Sequence, residues 1–494
     1  MRKNIRRISI FLLAFYLMFD ISSQTVSASS VPYDTYNYDY WDYTIETPAP
    51  YYPDGSVTGV KVGTKSFVNP QDICLDDQKR LYIADTGNNR VVVIENDLST
   101  MYTEITGFVD DEGTEQTFNA PGGLCVSQSG KLYICDTENR RVVVLKLNET
   151  TKTFEFVKYV KDPKSNVLAA GFEFKPKKVV VDYADRVYVI AKNVFEGIMA
   201  FNANGDFTGF FGTITVTLSF WQKLWRRLST KAQRGKQALY IPTEYTGVDI
   251  DADGFVYASY IDDKGAQAAM RLNPKGEDVI NKTTHLAGDI VSGEELTYGD
   301  YSGYSYIVDV TYRGKGIYSL LDSKRGRIFT YDHEGNLLYI YGGLGTQEGT
   351  FTTPTAIEDT GTVMLGLDAY TAQIYIYSPT DYGRLINEAV QLRYDGDESL
   401  AVSKWQQVLK YNENFELANV GIGKAYLTAG DYKNALKYLK LGKSKKYYSI
   451  AFRRYRNDIL RDNLGYALTG LVVLIIGINV IKIIRRKRRG LEED

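Results

Sequence analysis

The chain has two histidines in 494 residues. That scarcity leaves too few for a multi-histidine zinc centre and restricts histidine-based acid–base chemistry. Cysteine is nearly as rare, with three residues, Cys74, Cys125 and Cys135. An odd number without a dense framework argues against disulfide stabilisation. A turn at Ser129-Gly130 would set Cys125 opposite residue 134, one off register for Cys135, so all three read as small core hydrophobes. The net charge is −2, so no global field points to nucleic acid. No serine nucleophile elbow, phosphate loop or His-Glu-x-x-His helix is present.

Tyrosine, by contrast, is abundant at 40 residues, which favours sheet. The stretch LYIADTGNNRVVVIEND, from Leu81 to Asp97, reads as strand, polar turn and β-branched strand, and it returns as LYICDTENRRVVVLKLN from Leu132. A supersecondary unit that repeats means an array. Six copies align on the strand that precedes each such run, starting at Pro70, Pro121, Pro176, Tyr245, Tyr306 and Pro354. Tyr82, Tyr133, Tyr188, Tyr257 and Tyr318 then share one phase, with Met364 in a shortened sixth copy. Four short strands per copy make a propeller blade, so the fold class is mainly β, a six-bladed β-propeller over 55–380. The last copy lacks an outer strand, and the orphan strand Ser56–Val62 is expected to supply it and close the ring.

The two ends of the chain carry targeting signals. Arg2, Lys3, Arg6 and Arg7 precede an apolar run, Ile8–Phe19, and small residues up to Ala28, which is a secretory signal peptide over 1–28. Leu464–Ile481 carries no charge and is followed by Lys482 and a basic run at 485–489. At about 1.5 Å per residue that run spans the hydrocarbon of a bilayer, so a transmembrane helix is expected over 463–484 with a cytoplasmic tail over 485–494. Arg453, Arg454, Arg456 and Arg461 make the near flank basic as well, and the signal peptide sets the orientation, with the bulk of the chain extracytoplasmic.

Three further segments stand out. The Tyr- and Pro-rich leader over 29–54 reads as a strap or linker whose Tyr36, Tyr38, Tyr40, Trp41 and Tyr43 are candidate glycan contacts. An insertion over 213–244 places Trp221, Leu224, Trp225 and Leu228 on one helical face among basic residues, a candidate membrane or partner contact. Residues 381–462 turn to a period of 3.6.

The propeller resembles the NHL-repeat family. The match lies in Asp85, Thr86, Asn88 and Arg90, again in Asp136, Thr137, Asn139 and Arg141, and weakly in Asp322, Ser323, Arg327 and Asp368. These residues read as turn caps and blade ties. Phe415–Tyr448 resembles the tetratricopeptide (TPR) pattern through Ile422, Gly423, Tyr426, Ala435 and Gly442, with Gly430-Asp431 as the turn and Tyr426 a candidate partner contact. The string LSTKAQRGKQALYIPTEY is similar to one in membrane-anchored NHL proteins of Gram-positive bacteria, which implies a partner among carbohydrate-transport components. Related propellers include zinc-dependent lyases, whose histidines are missing here, and calcium-dependent lactonases, for which Asp72, Asp249 and Asp309 are the candidate acids on inner strands. No cofactor is assigned. The expected function is a membrane-anchored extracytoplasmic scaffold for a membrane-protein partner, with glycan binding or a lactonase-like hydrolase as alternatives.

Overall fold

The computed structural model describes residues 31–165, 167–168, 171–213, 244–260, 268–281, 288–289 and 304–490. The segment 1–28 and the residues Trp221, Leu224, Trp225 and Leu228 lie outside the described residues. Two compact units are present: Met1–Asn37 with Thr44–Arg384, and Tyr38–Tyr43 with Leu385–Asp494.

The first unit is a six-bladed propeller. Its blades begin with the strands Asp72–Leu75, Pro121–Val126, Pro176–Val181, Tyr245–Ile250, Ile307–Tyr312 and Pro354–Asp359. Each of these packs beside the first strands of both neighbours, and the circuit runs from the sixth back to the first. Five blades have four antiparallel strands, and blade four has three among the described residues.

The runs that read as near-continuous apolar sequence are buried on both faces, and strand alternation says why. In Arg90–Ile94, Val91 and Val93 pack toward Leu124, Ile134 and Val143 of blade two. Val92 and Ile94 pack the other way, toward Leu365, Leu367 and Ile374 of blade six. Each such side chain is worth about 1.5–3 kcal/mol when fully buried. A one-residue slip would exchange the two interfaces and set every side chain against the wrong neighbour.

Two expectations need correcting. The ring is closed by Tyr51–Val57, not by Ser56–Val62, so part of the supposed leader is the outer strand of blade six, paired to Gln373–Pro379. Pro53 is tolerated there because an outermost strand has one partner only. Blade five starts at Ile307, not Tyr306. Tyr318 pairs with Tyr312 just as Leu81 pairs with Leu75, so it faces away from the side on which Tyr82 lies.

The second unit contains the helices α1 (Asp381–Asp395, which begins in the first unit), α2 (Glu398–Tyr411), α3 (Glu416–Thr428), α4 (Tyr432–Leu441) and α5 (Lys445–Gly490). Sequential neighbours from α2 to α5 pack on one another. The α3–α4 turn uses Gly430 at φ 81°, and the Asp431 carboxylate caps α4 by accepting from the Asn434 amide at 3.1 Å. Gly423 is glycine because a Cβ there would lie 2.6 Å from Leu439 Cγ. Past Ala451, α5 is almost wholly exposed, and Lys445–Lys487 is long and apolar enough to cross a membrane by length and composition.

Candidate functional site

The axis of the ring is lined by alternate residues of the six first strands. Two residues after Pro70, Pro176 and Ile307 the odd blades carry Asp72, Lys178 and Asp309, and two residues after Pro121, Tyr245 and Pro354 the even blades carry Gly123, Gly247 and Ala356. In five of the six strands this position lies in or next to a register shift, a device that re-aims side chains. The alternation is steric. A Cβ on Gly247 would sit 2.7 Å from Asp309 Oδ1, and one on Gly123 would sit 2.7 Å from Lys178 Cα.

Lys178 joins the odd blades. Its Nζ donates to Asp72 Oδ1 at 2.5 Å and to Asp309 Oδ1 at 3.1 Å. The outer carboxylate oxygens reach across to the next blade. Asp72 Oδ2 accepts from the Leu124 amide at 2.8 Å, and Asp309 Oδ2 accepts from the Ile357 amide at 2.9 Å. One step further along the axis, the ring consists of Cys74, Cys125, Val180, Asp249, Thr311 and Glu358. Asp249 accepts from the Tyr312 and Ile250 amides at 2.6 and 2.7 Å. Asp72, Cys74, Cys125, Lys178, Val180, Asp249, Asp309 and Glu358 border a cavity of about 370 Å³.

Burial dominates the electrostatics. Burial pulls the Lys178 ammonium down, but Asp309 and Asp72 outweigh it, so Lys178 stays charged and is no amine nucleophile. One ammonium faces two carboxylates. Burial pushes Asp309 up to about 7 despite Lys178. Burial likewise pushes Asp249 up to about 6, against the two amides. Glu358 is raised well above the carboxylate range by burial and by the charge of Asp249. Both Cys74 and Cys125 are free thiols raised by burial, Cys125 to about 12.

A pH dependence follows from these shifts. Asp309 at about 7, Asp249 at about 6 and Asp322 at about 6 all bind a proton more readily folded than unfolded, where carboxylates titrate near 4. Their shared effect favours the fold below their folded values and is lost as pH rises from about 4 to 7. Thermal unfolding of the full chain should give a Tm higher by roughly 5–10 °C at pH 5 than at pH 8. An unchanged or lower Tm at pH 5 would contradict these assignments.

The three acids singled out as calcium ligands therefore do converge on the axis, but their donor set does not fit a calcium ion. Asp72 and Asp309 already share the Lys178 ammonium, and Asp249 is turned to backbone amides. Among the described residues, no group of three or more His, Cys, Asp and Glu side chains is placed to hold a metal ion. Sequence reasoning missed Lys178 and Glu358. With blade five in its true phase, Asp72, Lys178 and Asp309 share one position, and that coincidence was the available signal.

The repeated polar signature is architecture. Asp85 accepts from the Val68 amide, from Asn88 and from Arg90 Nε at 2.6 Å. Arg90, fully buried, also reaches Glu104, Thr64 and the Lys65 carbonyl. Asp136 repeats the pattern with Asn119, Asn139 and Arg141. The tie between blades falls to the threonine rather than the arginine. Thr86 donates to the Pro121 carbonyl at 2.7 Å, and Thr137 donates to that of Pro176 at 2.6 Å.

The aromatic candidates separate. Tyr36 is buried, donates to Asp289 and lies under the Arg327 guanidinium, so it is closed to a glycan. Tyr38 and Tyr40 are half-buried, with Lys445 over the Tyr40 ring. Trp41 and Tyr43 are 66% and 62% exposed, on a turn held by the Asp39 carboxylate. Tyr426 is half-buried and stacks on Tyr438 at 5.6 Å, so it serves the helix pair.

Comparison with known proteins agrees with the repeat. The NHL repeat pattern matches residues 67–94 and 118–145. Over 100 residues, 19% of this chain, the sequence is 34% identical to NHL repeat-containing protein 2 of Gallus gallus and 32% identical to that of Homo sapiens. The match spans 14% of the length of those relatives. Among solved structures, virginiamycin B lyase from Staphylococcus aureus is similar with a TM-score of 0.39 at 10% identity, covering 66% of this chain and 99% of that one. A protein of unknown function from Bacteroides thetaiotaomicron gives 0.42 at 16% identity, covering 66% and 73%. The chain thus carries NHL repeats within a six-bladed β-propeller.

Proposed function

We propose that the protein is an extracytoplasmic interaction scaffold, anchored by α5 in a membrane, that binds a membrane-protein partner through its propeller and its TPR-like helices. The candidate partner is a component of a carbohydrate importer. One observation carries the reading: the polar groups most like a site satisfy one another, whereas Trp41 and Tyr43 stand exposed on the helical unit. Trp and Tyr are the residues that dominate protein interfaces when they project in this way.

The test is capture from detergent-solubilised membranes with the full chain as bait. One membrane protein should be retained in stoichiometric amount, and Trp41→Ala with Tyr43→Ala should lower its recovery roughly tenfold or more. Recovery of the folded bait alone would overturn the scaffold reading.

The same two rings favour one alternative, glycan binding, because aromatic faces suit the apolar faces of sugars. Saturable binding of a soluble glycan, lost in the same double variant and independent of any protein, would select it.

A further inference from the structure

We propose that Arg453, Arg454, Arg456 and Arg461, on the part of α5 that precedes its apolar run, form a contact surface for anionic phospholipid headgroups. This rests on the reading that α5 enters a bilayer. All four side chains are exposed. Arg461 has Asp458 and Asp462 beside it at 3.2 and 3.4 Å. Arg453, Arg454 and Arg456 have no carboxylate within ion-pair distance among the described residues.

Position along the helix decides what these groups can reach. At about 1.5 Å per residue, Arg461 lies about 5 Å and Arg453 about 17 Å before Leu464, where the uncharged run begins. A headgroup layer is about 5–8 Å deep, and screening extends about 8–10 Å beyond it. Arg461 and Arg456, at about 5 and 12 Å, fall inside that zone when the helix stands upright, and Arg454 and Arg453 lie at its outer edge, where any tilt brings them nearer.

Their distribution around the helix is uneven. At about 100° per residue the four arginines fall within an arc of roughly 160°. Phe452, Tyr455 and Ile459 recur at i, i+3 and i+7 on the other side. A basic face backed by aromatic and aliphatic residues is the composition of a segment that lies at a membrane surface. Beyond the apolar run, Lys482, Arg485, Arg486 and Lys487 repeat the positive charge. A helix that is basic at both ends gains little from charge asymmetry in choosing its orientation, but it meets anionic headgroups at both surfaces.

The test uses the full chain with Asn457→Cys, an exposed position, reconstituted in vesicles of phosphatidylcholine with or without phosphatidylglycerol. The three native thiols are suppressed by burial and leave the new cysteine as the reactive one. A membrane-impermeant dye marks outward copies, and trace lipid with a nitroxide headgroup quenches it. Quenching should be at least roughly twofold stronger with phosphatidylglycerol. The gain should vanish in Arg453→Gln/Arg454→Gln/Arg456→Gln and in about 1 M salt, where screening shortens to about 3 Å. Equal quenching in both vesicles, with the chain resisting alkaline carbonate extraction, would overturn the lipid contact and leave the span standing. Extraction by carbonate would overturn both. A gain with phosphatidylglycerol that survives the triple substitution would overturn the assignment to these arginines.

Discussion

Lys178→Met should lower the stability of the propeller by about 3–5 kcal/mol at pH 8. The substitution keeps an apolar stem as far as Cε and removes the ammonium that Asp72 and Asp309 share. Two buried carboxylates are then left facing each other across the axis, with backbone amides such as those of Leu124 and Ile357 as their remaining donors. The loss should shrink at pH 5, because Asp309 takes up a proton at about 7. It should also shrink when Asp72→Asn and Asp309→Asn are added, because removing all three charges avoids the uncompensated pair. Urea unfolding of the full chain at pH 8 and pH 5 measures each case. A Lys178→Met chain as stable as the parent at pH 8 would show that the ammonium is not the tie between the odd blades.

Tyr51→Ala should cost about 3–5 kcal/mol, as aromatic truncations in packed cores do. Tyr51 lies on the closing strand and is buried. Its ring stacks on Tyr341 at 4.6 Å, and its hydroxyl accepts from Arg313 at 2.5 Å. Arg313 also donates to Tyr339 and to Asp359, so the truncation leaves a buried guanidinium short of one acceptor as well as a void. Because Tyr51 belongs to the strand that joins the chain's first described part to blade six, the effect should exceed local loosening. Limited proteolysis should cut first between residues 31 and 57 in the variant and later elsewhere. Tyr51→Phe separates the two causes, since it keeps the stack and loses the hydrogen bond, at an expected cost of about 1–2 kcal/mol. A Tyr51→Ala chain that resists unfolding and proteolysis like the parent would mean that the ring does not depend on this strand.

How far the sequence disclosed this structure depends on how local the determining contacts are. The signature Asp85-Thr86-x-Asn88-x-Arg90 was legible because most of its bonds close within one blade and one preceding loop. The α3–α4 pair was legible for the same reason, since Gly423, Gly430 and Leu439 specify a close hairpin over a short stretch. The closing strand begins five residues before the strand the sequence suggests, because Pro53 and Gly55 look like loop residues, yet an outermost strand accepts them. Lys178 was invisible because Lys177-Lys178 before a Val run reads as a solvated strand end. Only the assembled ring brings blades one, three and five to one point, more than a hundred residues apart. Tyr36 reads as a candidate glycan contact because nothing near it in sequence announces Asp289 or Arg327.

The central claim is that the polar groups of the ring are architecture and that recognition belongs to the outer surface. One comparison tests it most directly. The full chain bearing Lys178→Met, Asp72→Asn and Asp309→Asn is used as bait in native membranes, beside the parent and the Trp41→Ala/Tyr43→Ala chain, after each is shown to be folded by its unfolding transition. The account predicts that the axial triple variant retains the membrane partner as the parent does, and that the aromatic variant loses it. Loss of the partner by the folded axial variant, with retention by the aromatic one, would contradict it.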